Sequence, residues 1–281
     1  APRVVENEVS LVDVMPTVLH ALSLPVPPTV QGRSLLSSIL GRPLSGSSNL
    51  WAENYLPLLH FGWSPLKGLQ AAGMKYIDAP QPELYDTRAD PGETRNLIAS
   101  RQAAAQEMHD RLLSIERRYT PALGAQARDR VQTDPALEDR LRSLGYVAVS
   151  AGQIVDAKGR ALTDPKERIQ VYELIFAANF DSQNGRHTES LRKLQQAEKT
   201  EPQSITIQYL TALNYYRLRD YGRARERFQT VLQLDPKNSL ATYYLGVCQL
   251  ETGSLDAAIA SFRQTLSLDP SNFVAAYNLG A

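Results

Sequence analysis

Three prolines set a period in the second half of the chain. Pro202, Pro236 and Pro270 follow one another at 34 residues (236 − 202 and 270 − 236), and Tyr209, Tyr243 and Tyr277 keep the same step. So do Ala224 with Ala258, Phe228 with Phe262, and Leu245 with Leu279. A fixed period of about 20–50 residues marks stacked supersecondary units, each too small to bury its own apolar face and therefore packed on its neighbours. Asp235-Pro236 and Asp269-Pro270 stop one helix, because proline removes a donor and restricts the residue before it, and the turn that follows opens the next. Gly185 and Gly253, two periods apart, mark where the first helix of a unit turns into its second. Each unit is thus a helical hairpin. Units are expected at 171–204, 205–238 and 239–272, with a fourth starting at Phe273 and cut short within 273–281.

This pattern resembles the tetratricopeptide (TPR) repeat. The resemblance implies an all-α solenoid whose first helices line a concave face that binds a peptide or another protein. Tyr209, Tyr243 and Tyr277 are candidates for lining that groove, with Leu213, Tyr216, Val247 and Leu250 beside them. Two readings of the tyrosine ladder stand together: a groove wall, or scaffold packing common to the repeat consensus. Repeats that hold chaperone carboxyl termini cluster Lys, Arg and Asn on this face, and tyrosine at a key basic position argues against such a carboxylate clamp. Ala224, Gly246 and Ala258 are expected where helices touch, with Leu245, Phe228 and Phe262 filling the space between hairpins.

The bulk composition excludes several partners. Lys plus Arg number 30 and Asp plus Glu 30, so no net field draws the chain to nucleic acid or an anionic membrane. One cysteine, Cys248, rules out an internal disulfide framework and a multi-thiolate metal site within one chain. The apolar stretch 9–30 contains Asp13, His20 and four prolines, and no transmembrane segment is read there. The first residues carry no signal-peptide pattern; any export signal is expected upstream.

Before the repeats the texture changes to short apolar runs broken by turn residues, a mixed α/β pattern. Val9 to Leu22 reads as a strand end leading into a helix, with Asp13 as its cap and Pro16 in its first turn. Gln31-Gly32-Arg33-Ser34-Leu35-Leu36 reads as a turn into a second short helix. Leu66–Gln70 and Met74–Ala79 flank an Ala71-Ala72-Gly73 turn as a hairpin, with Glu83–Asp86 as a third strand. A helix over Ser100–Tyr119 places Met108, Leu112, Ile115 and Tyr119 on one face to cover that sheet. Residues 120–170 form a connector with one helix, opened by Asp134-Pro135 and closed by Gly145.

The Val-Ser-Leu-Val-Asp-x-x-Pro-Thr helix at residues 9–17 and the Gly32-Arg33-Ser34-Leu35 turn resemble the later part of the sulfatase catalytic domain. Phe61-Gly62-Trp63-Ser64-Pro65-Leu66, Lys75-Tyr76-Ile77, Glu83-Leu84-Tyr85-Asp86 and Asp90-Pro91-Gly92-Glu93-Thr94-Arg95-Asn96-Leu97 follow that family's terminal subdomain in order and spacing. The implied fold is a carboxy-terminal α/β sulfatase subdomain, a small antiparallel sheet plus helices, over 1–119, followed by the all-α solenoid over 171–281. The implied parent is a bacterial sulfuric ester hydrolase of the alkaline-phosphatase-like class, periplasmic or extracellular, acting on a sulfate ester. Two alternatives stand: a phosphodiesterase or phosphoglycerol transferase of the same superfamily, and a non-catalytic repeat scaffold.

A sulfatase needs a Cys or Ser in a Cys/Ser-x-Pro/Ala-x-Arg motif, converted to formylglycine, and a calcium ion. Cys248 is followed by Gln249-Leu250-Glu251 and reads as a small core residue. The nucleophile and the calcium ligands are therefore expected upstream, this stretch alone is expected to be inactive, and no metal site is assigned here. His20, His109 and His187 read as structural. His60 and Trp63, on a loop before the terminal hairpin, are candidates for the substrate rim; for Trp63 the alternative is packing in the core.

Overall fold

The computed structural model describes residues 8–44, 49–119 and 162–280. The expected connector helix between Asp134 and Gly145 lies outside the described residues. The chain divides into two compact units, one of Ala1–Asn54 with Leu66–Leu123 and the other of Tyr55–Pro65 with Gly124–Ala281. Residues 55–65, expected in the first half, belong to the helical unit.

The described elements in chain order begin with α1 (Val14–Ala21), α2 (Leu36–Ile39), β1 (Leu50–Asn54), α3 (Leu56–Phe61), β2 (Leu66–Ala71), β3 (Met74–Asp78), β4 (Glu83–Asp86) and α4 (Gln102–Tyr119). The repeats follow as α5 (Ile169–Gln183), α6 (His187–Thr200), α7 (Ile205–Arg217), α8 (Tyr221–Leu234), α9 (Ser239–Glu251), α10 (Leu255–Leu268) and α11 (Phe273–Gly280).

In the first unit the four strands form an antiparallel meander in the order β1-β2-β3-β4. The hairpin between β2 and β3 turns on Ala72 and Gly73, with φ of 54° and 82°, the two left-handed residues that match a tight hairpin to strand twist. β1 adds a fourth strand to the three read from the sequence. One row of side chains crosses the whole sheet: Trp51 pairs with Leu69, Leu69 with Tyr76, and Tyr76 with Leu84. Leu69 and Leu84 are fully buried and Tyr76 nearly so. They pack with Ala105, Met108 and Leu112 of α4, which follow one another at helical spacing and give that helix its apolar stripe.

Asp13 plays a different part from the expected cap of α1. Its Oδ2 accepts the Ser10 amide at 3.0 Å and its Oδ1 accepts the Arg33 amide at 2.9 Å. The carboxylate thus reaches backward to close a capping box, and also holds the Gly32-Arg33 turn. Thr17 Oγ1 accepts the Leu35 amide at 2.8 Å. The two motifs at 9–17 and 32–35 are therefore one hydrogen-bonded assembly.

The second unit stacks helical hairpins α5/α6, α7/α8 and α9/α10, followed by α11. Each later first helix starts on a side-chain cap: Ser204 accepts the Ile207 amide and Asn238 the Ala241 amide, satisfying donors that a helix start leaves open. Within the hairpins, Gly185 and Gly253 take φ of 76° and 79°, the left-handed turn that glycine permits. Arg219, at the same place in the middle hairpin (185 + 34 = 219), is forced to φ 60°. Ala224 is fully buried and Ala258 nearly so. Phe228 and Phe262 fill the space between hairpins. Among the described residues, no helix is long and apolar enough to cross a membrane.

Candidate functional site

The first helices α5, α7, α9 and α11 bring the sequence candidates together, but on unequal terms. Tyr209 is 5% exposed, its ring edge-on to Phe228 at 5.9 Å and to Tyr244 at 6.5 Å. It is a core residue, clustered with Phe228 and Val231 of α8 and Ala241 and Leu245 of α9. Tyr243 is half-buried, 5.2 Å from Tyr244 and 6.0 Å from Phe262, and its hydroxyl accepts from the Asn278 amide group at 3.5 Å. Tyr277 is 74% exposed. The recurring position is buried on α7 and half-buried on α9, and on α11 it stands on the last described helix.

Leu213, Tyr216 and Val247 are half-buried and Leu250 exposed. Tyr216 lies 5.2 Å from Tyr244 and 5.9 Å from Tyr221. Tyr244 is the hub of this aromatic cluster, stacked on Phe228 at 5.4 Å. Periodicity alone does not single it out, because the equivalent positions hold Leu210 and Asn278. Burial raises the phenol pKa of Tyr216, Tyr243 and Tyr244, so all three keep their protons, and hence a donor, at neutral pH. The surface these helices offer is apolar and aromatic, with hydroxyl groups for orientation.

His60 and Trp63 are placed in the helical unit. Trp63 is 5% exposed, clustered with Val171, Ile175 and Ile207, and stacked on Phe61 at 4.4 Å. It is enclosed by repeat side chains. The His60 carbonyl accepts from the Thr206 hydroxyl at 2.6 Å, and burial pushes its imidazole pKa down. Phe61 meets the Tyr172 ring edge-on at 6.1 Å. The Ser64 amide donates to the Thr163 carbonyl at 2.9 Å.

Among the described residues, no three His, Cys, Asp or Glu side chains converge to hold a metal ion. The Asp13 carboxylate is committed to the Ser10 and Arg33 backbone amides. Cys248 is fully buried and its thiol is pushed up to about 12 by burial, the reverse of an activated nucleophile. His20 Nδ1 meets Ser34 Oγ at 3.0 Å, His109 Nδ1 meets the Tyr76 hydroxyl at 3.3 Å and His187 Nδ1 meets Asn214 Oδ1 at 3.1 Å, each a structural pairing.

Residues 209–273 match the family model of the tetratricopeptide repeat, and the second half of the chain carries such repeats. Arylsulfatase K of Canis lupus familiaris is 33% identical over 131 residues, an alignment that covers 41% of this chain and 23% of that protein. Among solved structures, the second TPR domain of the human RPAP3 protein in complex with an HSP70 peptide has a TM-score of 0.39 at 19% identity, covering 40% of this chain and 94% of that one. MamA has a TM-score of 0.38 at 18% identity, covering 50% and 80%. The Arabidopsis OM64 TPR domain has 0.38 at 20% identity, covering 39% and 91%.

Proposed function

We propose that residues 1–281 are the carboxy-terminal part of a sulfatase-type hydrolase joined to a TPR module that recruits a protein partner. The observation that carries the hydrolase part is the identity to dog arylsulfatase K, in a chain whose first half keeps the order of sulfatase motifs. The pairing of Asp13 with Arg33 and of Thr17 with Leu35 supports it, since it gives two of those motifs one physical purpose. The repeat match over 209–273 supports the interaction module. The partner is a protein segment with apolar or aromatic side chains, received by the half-buried and exposed residues of α9 and α11.

In this reading the formylglycine nucleophile and the calcium ion belong to a part of the whole protein that precedes residue 1. The whole protein hydrolyses a sulfate ester in the periplasm or outside the cell. What residues 50–54 and 66–119 contribute is the small sheet and its covering helix, an edge for a larger catalytic domain.

The test has two arms. The purified chain, with and without calcium, should leave an aryl sulfate and an aryl phosphodiester unhydrolysed, and turnover that survives repurification would overturn the reading. The coding region preceding residue 1 should contain the Cys/Ser-x-Pro/Ala-x-Arg motif. A Thr or Ser nucleophile with ligands for two transition metals there would instead make the parent a phosphodiesterase or phosphoglycerol transferase.

A further inference from the structure

The repeat period shows where residues 55–65 sit on the helical array. Phe61 packs against Tyr172 of α5, and the His60 carbonyl is held by Thr206 of α7. Tyr172 and Thr206 are one period apart (206 − 172 = 34), so they are the same position on two successive first helices. Ile175, which clusters with Trp63, is one period before Tyr209 (209 − 175 = 34) and so begins the ladder that continues through Tyr243 and Tyr277. In a stacked solenoid, equivalent positions face the same way. The segment therefore lies along the strip of first-helix positions that further on carries Leu240, Val274 and the tyrosines.

Its mode of attachment is that of a bound peptide. α3 is six residues long, too short to hold its own shape in water, so the contacts with the repeats hold it. An aromatic pair is packed in, with Trp63 nearly enclosed. A backbone carbonyl is taken by a side-chain hydroxyl, and a backbone hydrogen bond to Thr163 fixes the end of the turn. The positions it uses hold Tyr172, Ile175, Thr206 and Leu210, with no Lys or Arg among them to receive a carboxylate.

We propose that Tyr55–Pro65 is an in-cis ligand of the repeat groove, occupying its first-repeat end and confining a partner protein to the positions from Leu240 onward. The recognition chemistry it displays is an apolar turn bearing an aromatic pair. The proposal rests on the groove reading of the repeats and is independent of the hydrolase reading. Its failure would leave partner binding at α9 and α11 to be tested by itself.

A labelled peptide with the sequence of residues 55–65 serves as the probe, titrated into the full chain by fluorescence anisotropy. A tethered segment acts at an effective concentration of about millimolar, so the titration extends to that range. The wild-type chain should leave the probe unbound at concentrations where the Phe61→Ala/Trp63→Ala chain binds it, the two differing at least tenfold. Adding Thr206→Val to the double variant should weaken binding severalfold. Equal binding by wild type and double variant would overturn the proposal. So would absence of binding by a double variant whose α5 amides remain protected from hydrogen exchange. If the double variant loses protection across α5, Thr206→Val alone decides: the Ser64 amide should exchange severalfold faster with α5 unchanged, and an unaltered Ser64 rate would sink the idea.

Discussion

Gly246 of α9 lies so close to Phe262 of α10 that a Cβ at residue 246 would sit 2.8 Å from the ring's Cε1. The ring has no room to retreat, since Phe262 is nearly fully buried and Tyr243 stands 6.0 Å away on its other contact. Alanine would add helix propensity worth about 1 kcal/mol, but overpacking costs about 1–3 kcal/mol. Gly246→Ala should therefore destabilise the third hairpin by about 1 kcal/mol, and Ala258→Leu by about 1–3 kcal/mol. Urea unfolding followed by circular dichroism, with hydrogen exchange of α9 and α10, measures both. A Gly246→Ala chain as stable as wild type would mean that the ring shifts freely.

Arg219 supplies a test of opposite sign. It stands at φ 60° where its equivalents Gly185 and Gly253 take 76° and 79°, and its side chain is exposed. A left-handed backbone costs a residue with a Cβ about 1–2 kcal/mol, part of which glycine returns to the unfolded chain as entropy. Arg219→Gly should stabilise the middle hairpin by about 0.5–1 kcal/mol, read as a higher urea midpoint with an unchanged slope.

The repeats were legible because their information is one-dimensional: a side chain that recurs every 34 residues reports its packing position without any knowledge of the fold. The hairpin at Ala72-Gly73 was legible for a similar reason, since turn chemistry is local. Tyr244 escaped because the hub of an aromatic cluster need not recur. β1 escaped because Leu50–Asn54 is short and three of its five residues are exposed, leaving almost no alternating pattern. The place of Phe61, Gly62 and Trp63 was illegible in principle, as the Thr206 that holds this turn is 146 residues from His60. Family resemblance made His60 and Trp63 candidates for a substrate rim, with core packing the alternative for Trp63; their contacts with the repeats are seen only in the fold.

Cys248 should be silent to thiol reagents in the folded chain. Its side chain is fully buried on α9, and burial pushes its pKa up to about 12, against about 8.5 in an unfolded chain. Between these values the unfolded state releases a proton that the folded state keeps. The stability this contributes is complete below about pH 8.5 and declines as pH rises towards 12. The raised pKa values of Tyr216, Tyr243 and Tyr244 act with the same sign, starting near the unfolded phenol value of about 10. Melting temperature against pH should therefore fall from about pH 9, and Cys248→Ala should flatten the stretch between about pH 9 and 10. Ellman's reagent at pH 8 should label the thiol only after denaturant is added, and rapid labelling of the native chain would refute the buried placement.

The three tyrosines of the ladder provide the last test, because one repeat position is sampled in three environments. Tyr209 is 5% exposed and Tyr277 74% exposed, while Tyr243 is half-buried and braced by Tyr244, Phe262 and Asn278. Removing a buried aromatic ring costs about 3–5 kcal/mol, whereas truncation at an exposed site usually stays within about 0.5 kcal/mol. Tyr209→Ala should therefore unfold or severely weaken the second hairpin, Tyr243→Ala should cost an intermediate amount, and Tyr277→Ala should leave the melt unchanged. Partner binding should follow the reverse order once stability is corrected for, with Tyr277→Ala losing affinity in a folded chain. Because stability in a repeat array is a sum of repeat and neighbour terms, hydrogen exchange resolved by helix is read beside the melt. Equal losses at all three sites would show that the ladder is scaffold throughout and contributes no groove wall.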